Sequence, residues 1–345
     1  MTAKVAINGM GRIGRATLKV VMDMPDLELV AVNDIAEPEN MAYLLGHDTV
    51  YGRYEGVEVH GEELSVGSLM IRGRKVRYLR EKDPTRLPWK DLAVDLVFEC
   101  TGRFTKQEDA AKHIDAGATW VILSGPTSSP DVPTVVHGVN RADGSASIIS
   151  CASCTTNSIT PVVEVLNRHF GVEKALLTTV HAYTATQTIV DGAGSRNDFR
   201  RGRAAAANFI PASTGAAIAT TKALPELEGR FDGVAVRGPV PVGSISDLTF
   251  VLGRATDVDE INTVLRSEAD TDRYRGILGV TDEPLVSSDI IGDSRASIVQ
   301  LDMTKVVDGD LVKVMCWYDN EWGFTHQMVR EARQALGLEN YGPPR

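Results

Sequence analysis

Cysteine is scarce in this chain. The four present, Cys100, Cys151, Cys154 and Cys316, are too few and too unevenly spaced for a disulfide scaffold. Aromatic residues make up only 6 %, and no run approaches the roughly 18 uncharged apolar residues of a membrane-spanning helix. Positive charge is in deficit, 36 Lys and Arg against 46 Asp and Glu, for a formal net charge of −10. That balance argues against a general basic surface for nucleic acid or anionic lipid, so any anion site must be made locally. Low-complexity linkers and internal repeats are also missing, which excludes tethered arrays and solenoids. The opening residues run straight into a strand-like segment rather than a secretory apolar core, the pattern of a cytoplasmic protein. What is there is ordinary globular composition, 43 % apolar and 24 % charged with 31 glycines over 345 residues. That length suits two domains, each able to bury a core.

Residues 4–150 alternate short apolar runs with helical patterns. Val5–Ile7, Leu29–Val32, Leu96–Phe98 and Val121–Leu123 are bounded by Gly, Asn, Asp or Thr, as buried parallel strands are. The alternation predicts a doubly wound parallel sheet of α/β class. Between Val50 and Leu87, shorter alternating pieces with turn signals predict a small antiparallel insertion. Beyond about residue 150 the pattern changes. One helical segment (Ile159, Val162, Val163, Leu166, Phe170) precedes extended runs at Leu176–Tyr183, Val234–Val242, Leu248–Leu252 and Leu311–Trp317. Strands with few crossovers predict a second, α+β domain on a largely antiparallel sheet. Met328, Val329, Ala332 and Leu336 mark a terminal helix, and the Gly-Pro-Pro-Arg end a frayed tail.

Gly9-Met-Gly11-Arg-Ile-Gly14 directly follows the first strand and opens a helix. In that context Gly9 allows the tight turn, Gly11 lets a pyrophosphate approach the backbone, and Gly14 lets helix and strand pack closely. Asp34 ends the second strand, twenty positions after Gly14. An acidic residue there accepts from adenosine ribose hydroxyls and repels a 2′-phosphate. Strand, glycines, helix, strand and carboxylate in this order predict an NAD site.

Ser153-Cys154-Thr-Thr-Asn157 immediately precedes the long helical pattern, placing Cys154 at a helix N-terminus, where the dipole favours the thiolate. His181 ends the apolar run Leu176–Val180 and can be aimed at it from a rigid strand. Two bland alternatives stand beside this: a buried structural cysteine, and a histidine that merely ends a strand. Cys151-Ala-Ser-Cys154 also fits a dithiol redox pair, whereas no second Cys/His pair lies at zinc-site spacing, so no metal is expected. Ser213-Thr214-Gly215, ahead of an Ala-rich helical stretch, offers hydroxyls and backbone N–H groups to an anion. Arg200, Arg201, Arg203 and Arg237 are concentrated cations in an acidic chain.

Together these segments closely resemble the phosphorylating, NAD-dependent glyceraldehyde-3-phosphate dehydrogenases, and the resemblance covers essentially the whole chain. It is carried by Val5–Arg15, Glu99-Cys-Thr-Gly102, Ala152–Asn157, Thr178–Thr184, Arg203–Ala206, Ile210–Ala217, Leu224–Leu227 and Trp317–Gly323. The resemblance implies a Rossmann domain over 1–153, completed by a C-terminal helix within 320–345, a catalytic domain over 154–319, and a homotetramer. It further implies that Cys154 adds to the aldehyde of glyceraldehyde 3-phosphate and that His181 activates it. After hydride transfer, inorganic phosphate releases 1,3-bisphosphoglycerate from the thioester. By position, Thr184, Arg201 and Arg237 resemble ligands of the substrate's phosphate, and Ser153, Thr155, Thr214 and Gly215 those of the attacking phosphate. Arg12, Ile13, Asp34, Ser124 and Asn320 resemble cofactor contacts, with Asn320 on the nicotinamide carboxamide. The resemblance also puts the segment from Tyr183 to Ala207 near the cofactor.

Several positions depart from the family pattern. Cys151 stands where Asn is usual, adding a thiol three residues from Cys154 and opening a route to a local disulfide. Ser158 replaces a common Cys, Thr186 stands where some members have Asp, and Phe324 where many have Tyr. Gly192-Ala193 lacks the proline that helps exclude a 2′-phosphate, which leaves Asp34 as the strong discriminator and some use of NADP open beside NAD. Competing readings are an erythrose-4-phosphate dehydrogenase, a dithiol redox protein, and a cofactor-binding protein without catalysis.

Overall fold

The computed structural model describes residues 2–60, 66–194 and 198–338. The C-terminal tail expected to fray lies outside them. The chain forms two compact units. One holds the described residues up to Val135, Arg141–Ala152 and residues 328–338; the other holds Val136–Asn140 and the described residues of 153–327.

The first unit is built on an eight-stranded sheet. Its order is Ile148–Ser150, Trp120–Leu123, Leu96–Glu99, Ala3–Asn8, Leu27–Asn33, Arg74–Leu79, Val66–Ile71 and Val57–His60. The first six strands in that order are mutually parallel, and the last two antiparallel. Val5, Ala6, Ile7, Val97, Phe98, Val121 and Ile122 have no exposed surface, as expected for strands covered on both faces. The piece between Val50 and Leu87 is therefore not an insertion. Arg74–Leu79 pairs in parallel with Leu27–Asn33 because Val76 and Tyr78 are fully buried there, and the hairpin before it extends the same sheet. Ile148–Ser150 carries no alternation of its own over three residues and becomes a strand only through its neighbours.

The second unit has a mixed, mostly antiparallel sheet. Its order is Ile210–Ser213, Phe231–Gly238, Val172–Ala182, Ser244–Leu252, Leu311–Tyr318, Ser297–Gln300 and Leu278–Thr281, with Lys305–Val307 also on Leu311–Tyr318. The long helix Cys154–Phe170 starts where the Ser153 hydroxyl accepts from the backbone N–H of Thr156, and stops at Gly171, whose φ is 72°. Its Ile159, Val162, Val163, Leu166 and Phe170 pack with Leu177, Leu248, Phe250, Val312 and Val314 of the sheet. Each such side chain contributes about 1.5–3 kcal/mol by leaving water. This anchored helix fixes where Cys154 stands. The terminal helix expected from Met328 onward runs over Trp322–Ala335.

Candidate active site

Strand pairing sets the geometry around Cys154. Val172–Ala182 and Phe231–Gly238 run parallel with His181 opposite Arg237, so both side chains leave the same end of the sheet. His181 Nε2 lies 3.3 Å from Cys154 Sγ. Its other nitrogen, Nδ1, is 2.7 Å from the Ala182 carbonyl and 2.6 Å from Arg237 Nη1, which also donates to Ala182 O at 3.2 Å. One nitrogen cannot satisfy both neighbours. When Nδ1 carries its proton to Ala182 O, Nε2 presents a lone pair to the thiol; when Nδ1 accepts from Arg237, Nε2 carries the proton instead. Arg237 thus opposes the tautomer that can act as a base.

The electrostatics differ from the sequence expectation of a thiol simply lowered by dipole and imidazole. Burial pushes the Cys154 thiol up, with Arg237 and the Thr155 backbone N–H pulling the other way. Burial, helped by the Arg237 charge, pushes His181 down to about 3, against the Ala182 carbonyl. Loss of water opposes either charge alone. Proton transfer from Sγ to Nε2 creates both at once, 3.3 Å apart. At an effective dielectric constant of about 20 such charges attract by about 5 kcal/mol. The thiolate accessible here is one paired with imidazolium.

Beneath this pair, the Thr155 hydroxyl and the Thr179 hydroxyl each lie 2.9 Å from the Tyr318 hydroxyl. The Tyr318 ring meets His181 edge-on, centroids 5.9 Å apart. Sequence reading missed Tyr318 and Thr179. The alternation Val312, Val314, Cys316, Tyr318 was the available signal, because it sends Tyr318 inward with the core residues. Ser153 caps the helix and its hydroxyl pairs with that of Thr156 at 2.8 Å. Asn320 Oδ1 accepts from the Ser244 hydroxyl at 3.0 Å, and Ser244 in turn holds the Ala182 N–H.

A second cluster joins Thr184, Thr186 and Arg201. The two threonine hydroxyls are 2.9 Å apart, and Arg201 donates to Thr186 at 3.1 Å while paired with Asp198 at 2.9 Å. Its charge is felt at Arg237. Thr214 accepts from the Ala216 N–H, and Gly215 opens the helix Ala216–Ala223.

In the first unit a cavity of about 510 Å³ is lined by Gly9, Gly11, Asp34, Asn8, Asn33, Thr101 and their neighbours. Gly9 has φ +96°, and a Cβ on it would sit 2.7 Å from the Thr101 nitrogen; one on Gly11 would meet nothing within 4 Å. A Cβ on Gly14 would lie 1.9 Å from the Gly9 carbonyl and 3.5 Å from the Ile7 side chain, so this glycine lets the helix pack closely on the turn and on the strand before it. Asp34 accepts from the backbone N–H of Met10 at 2.7 Å and of Ala36 at 3.0 Å, closing the glycine turn from the cavity side. Arg12 and Ile13 start the helix Arg12–Met22, where Arg12 pairs with Asp48 at 2.8 Å. The Ser124 N–H donates to Glu99 O. Among the described residues no disulfide joins the four cysteines, and burial drives Cys151 well above its ordinary pKa, which disfavours its thiolate chemistry. Among the described residues no group of His, Cys, Asp and Glu could hold a metal ion, and no helix is long and apolar enough to cross a membrane.

Comparison with known proteins matches both units. Residues 3–107 match the family model of the glyceraldehyde 3-phosphate dehydrogenase NAD binding domain, and residues 153–320 that of the C-terminal domain. Proteins named glyceraldehyde-3-phosphate dehydrogenase are similar over nearly their full length. The one from Zymomonas mobilis is 46 % identical over 97 % of this chain and 98 % of its own. Those from Clostridium acetobutylicum and Geobacillus stearothermophilus are each 44 % identical over 95 % of this chain and 97 % of theirs. With both domain models matched in order and such relatives spanning its length, the chain belongs to the glyceraldehyde-3-phosphate dehydrogenase family.

Proposed function

We propose that the chain oxidises glyceraldehyde 3-phosphate with NAD and inorganic phosphate to 1,3-bisphosphoglycerate, with Cys154 as nucleophile and His181 as base and acid. The observation that carries the mechanism is the 3.3 Å contact between Cys154 Sγ and His181 Nε2 at a helix start. Three features support a dinucleotide here: Gly11 leaves open space before a helix N-terminus with no side-chain cap, and Asp34 lines the same cavity, where it would accept from the adenosine ribose hydroxyls. Gly9, Gly11, Gly14, Arg12, Ile13, Asp34 and Ser124 would hold the dinucleotide in the first unit, with Asn320 toward the nicotinamide. When bound, NAD supplies the acceptor for the hydride that leaves the Cys154 adduct.

Cys154 Sγ passes its proton to His181 Nε2 and bonds to the aldehyde carbon, and His181 returns that proton to the carbonyl oxygen, giving the hydroxyl of a thiohemiacetal and a neutral imidazole again. His181 then takes that hydroxyl proton as the hydride departs, leaving a thioester. A phosphate oxygen attacks the thioester carbon, the C–S bond breaks, and the sulfur leaves as thiolate. Thr184, Arg201 and Arg237 are the ligands we assign to the substrate's phosphate, and Ser153, Thr155, Thr214 and Gly215 those of the attacking phosphate. An anion that engages Arg237 would draw it from His181 Nδ1 and release the basic tautomer. The open face of the second unit's sheet carries Leu176, Val180 and Val234, exposed by 64 %, 41 % and 53 %. Such an apolar face supports self-association, as in a homotetramer. The deciding experiment is NADH formation at 340 nm from glyceraldehyde 3-phosphate, with and without phosphate, with NAD and with NADP, and with erythrose 4-phosphate as competing aldehyde. Turnover that needs phosphate and prefers the triose supports the proposal; turnover indifferent to phosphate, or faster with the tetrose, overturns it.

A further inference from the structure

The Glu99-Cys-Thr-Gly102 motif contains a carboxylate that the mechanism leaves unused. Glu99 ends the central strand Leu96–Glu99 and is 1 % exposed. A buried carboxylate requires its lone pairs to be filled. Oε2 accepts from Asn8 Nδ2 at 2.6 Å and lies 3.1 Å from His113 Nε2. Oε1 accepts from the Thr101 backbone N–H at 2.7 Å and from the Thr101 hydroxyl. His113 is itself fully buried, and its Nδ1 accepts the indole N–H of Trp89 at 3.0 Å. That contact fixes the tautomer: the ring proton is on Nε2 and points at Glu99. The pair is thus a neutral imidazole on a carboxylate rather than a salt bridge.

Both walls of the dinucleotide cavity hang on this one group. On one side Asn8 Oδ1 accepts from Asn33 at 2.7 Å, and Asn33 holds the Glu81 backbone by its carbonyl at 2.9 Å and its N–H at 2.8 Å. On the other, Thr101 packs so tightly on the glycine turn that a Cβ at Gly9 would lie 2.7 Å from its nitrogen. Asn8, Gly9, Asn33, Glu81 and Thr101 line the cavity; Glu99, His113 and Trp89 support it from behind. We propose that Glu99 is a positioning residue for the dinucleotide, setting the spacing of the glycine turn and the Asn8–Asn33 wall, and that His113, oriented by Trp89, fixes the direction in which Glu99 faces. The proposal rests on the reading of this cavity as the NAD site.

The test is calorimetric titration of NAD into the intact protein, alongside steady-state kinetics. His113→Leu removes one of the four donors from Glu99 and raises the NAD Kd and KM about 10- to 100-fold, the loss expected for one hydrogen bond to a buried charge. Under saturating NAD, kcat and the aldehyde KM stay within about threefold. His113→Gln restores affinity, because its amide can donate to Glu99 and accept from Trp89. Glu99→Gln turns a donor toward donors and loses NAD at least as strongly as His113→Leu. Trp89→Phe, the milder variant should either of these fail to fold, frees the tautomer and raises Kd severalfold. Equal NAD affinity across wild type, His113→Leu and Trp89→Phe overturns the proposal, as does a His113→Gln variant no better than His113→Leu. A purely structural role predicts lowered melting temperatures with unchanged Kd for the folded protein. Wild-type protein that takes up no NAD refutes the cofactor reading instead.

Discussion

Replacing His181 by Asn removes the partner that makes a Cys154 thiolate tolerable. In the wild-type protein, once the proton has passed from Sγ to Nε2, the two charges 3.3 Å apart attract by about 5 kcal/mol at an effective dielectric constant near 20. At about 1.36 kcal/mol per unit this is worth some 3.7 pH units of thiol ionisation. In the variant burial still pushes the thiol up, with Arg237 the largest opposing influence. A thiol at or above its ordinary value, about 8.5, has only a few per cent of thiolate at pH 7. Second-order alkylation by iodoacetamide, which follows thiolate, is therefore expected to fall at pH 7, by up to about 30-fold where sulfate completes ionisation of the wild-type pair. Its rate should also rise tenfold per pH unit between 6 and roughly 8, where the wild type is flatter. Sulfate provides the internal control. Occupying Arg237 should free the basic tautomer of His181 and accelerate alkylation of wild type but not of the variant. Superimposable pH profiles for the two proteins would refute the pairing, and a sulfate effect surviving in His181→Asn would refute the role given to Arg237.

Three further outcomes are expected. Asp34→Ala deletes both the carboxylate assigned to the ribose and the acceptor for the Met10 N–H; NAD KM should rise about 10- to 100-fold, with the NADP-to-NAD ratio of kcat/KM moving toward NADP, and an unchanged ratio contradicts the assignment. Glu268 is held down to about 2 by hydrogen bonds from Arg168, burial opposing and His169 assisting. A carboxylate depressed in the folded state stabilises above its unfolded pKa and loses that contribution as pH falls toward about 2. Glu268→Gln should therefore lower the melting temperature at pH 7, with the gap from wild type closing between about 4.5 and 2; a gap independent of pH excludes the ion pair as its source. Leu176→Glu on the open sheet face should shift the assembly toward smaller species in analytical ultracentrifugation, and an unchanged mass would move the interface elsewhere.

Local sequence carries much of this protein. The strands around Val5–Ile7, Leu96–Phe98 and Val121–Ile122 are continuous apolar runs because both faces are covered, and the glycine turn is legible because Gly9 needs a positive φ that few other residues adopt. Ser153 marks the start of the Cys154 helix because a hydroxyl there accepts an otherwise unpartnered N–H. Such signals span a few residues and depend on backbone chemistry alone. The short strands toward the two ends of the second sheet were not legible: Leu278–Thr281, Ser297–Gln300 and Ile210–Ser213 are four residues each and exist only by pairing.

The site divides in the same way. Cys154 and His181 stand out by type and by position on a helix start and a strand end, and each carries a sequence signal of its own. The tertiary structure alone decided that they touch, that Arg237 contests His181 Nδ1, and that Tyr318 joins Thr155 to Thr179 across separations of 163 and 139 residues. It alone also decided that Glu99 collects donors from a strand 91 residues before it and a helix 14 residues after it. Hydrogen bonds, tautomers and desolvation are set by neighbours in space, and register between strands chooses those neighbours.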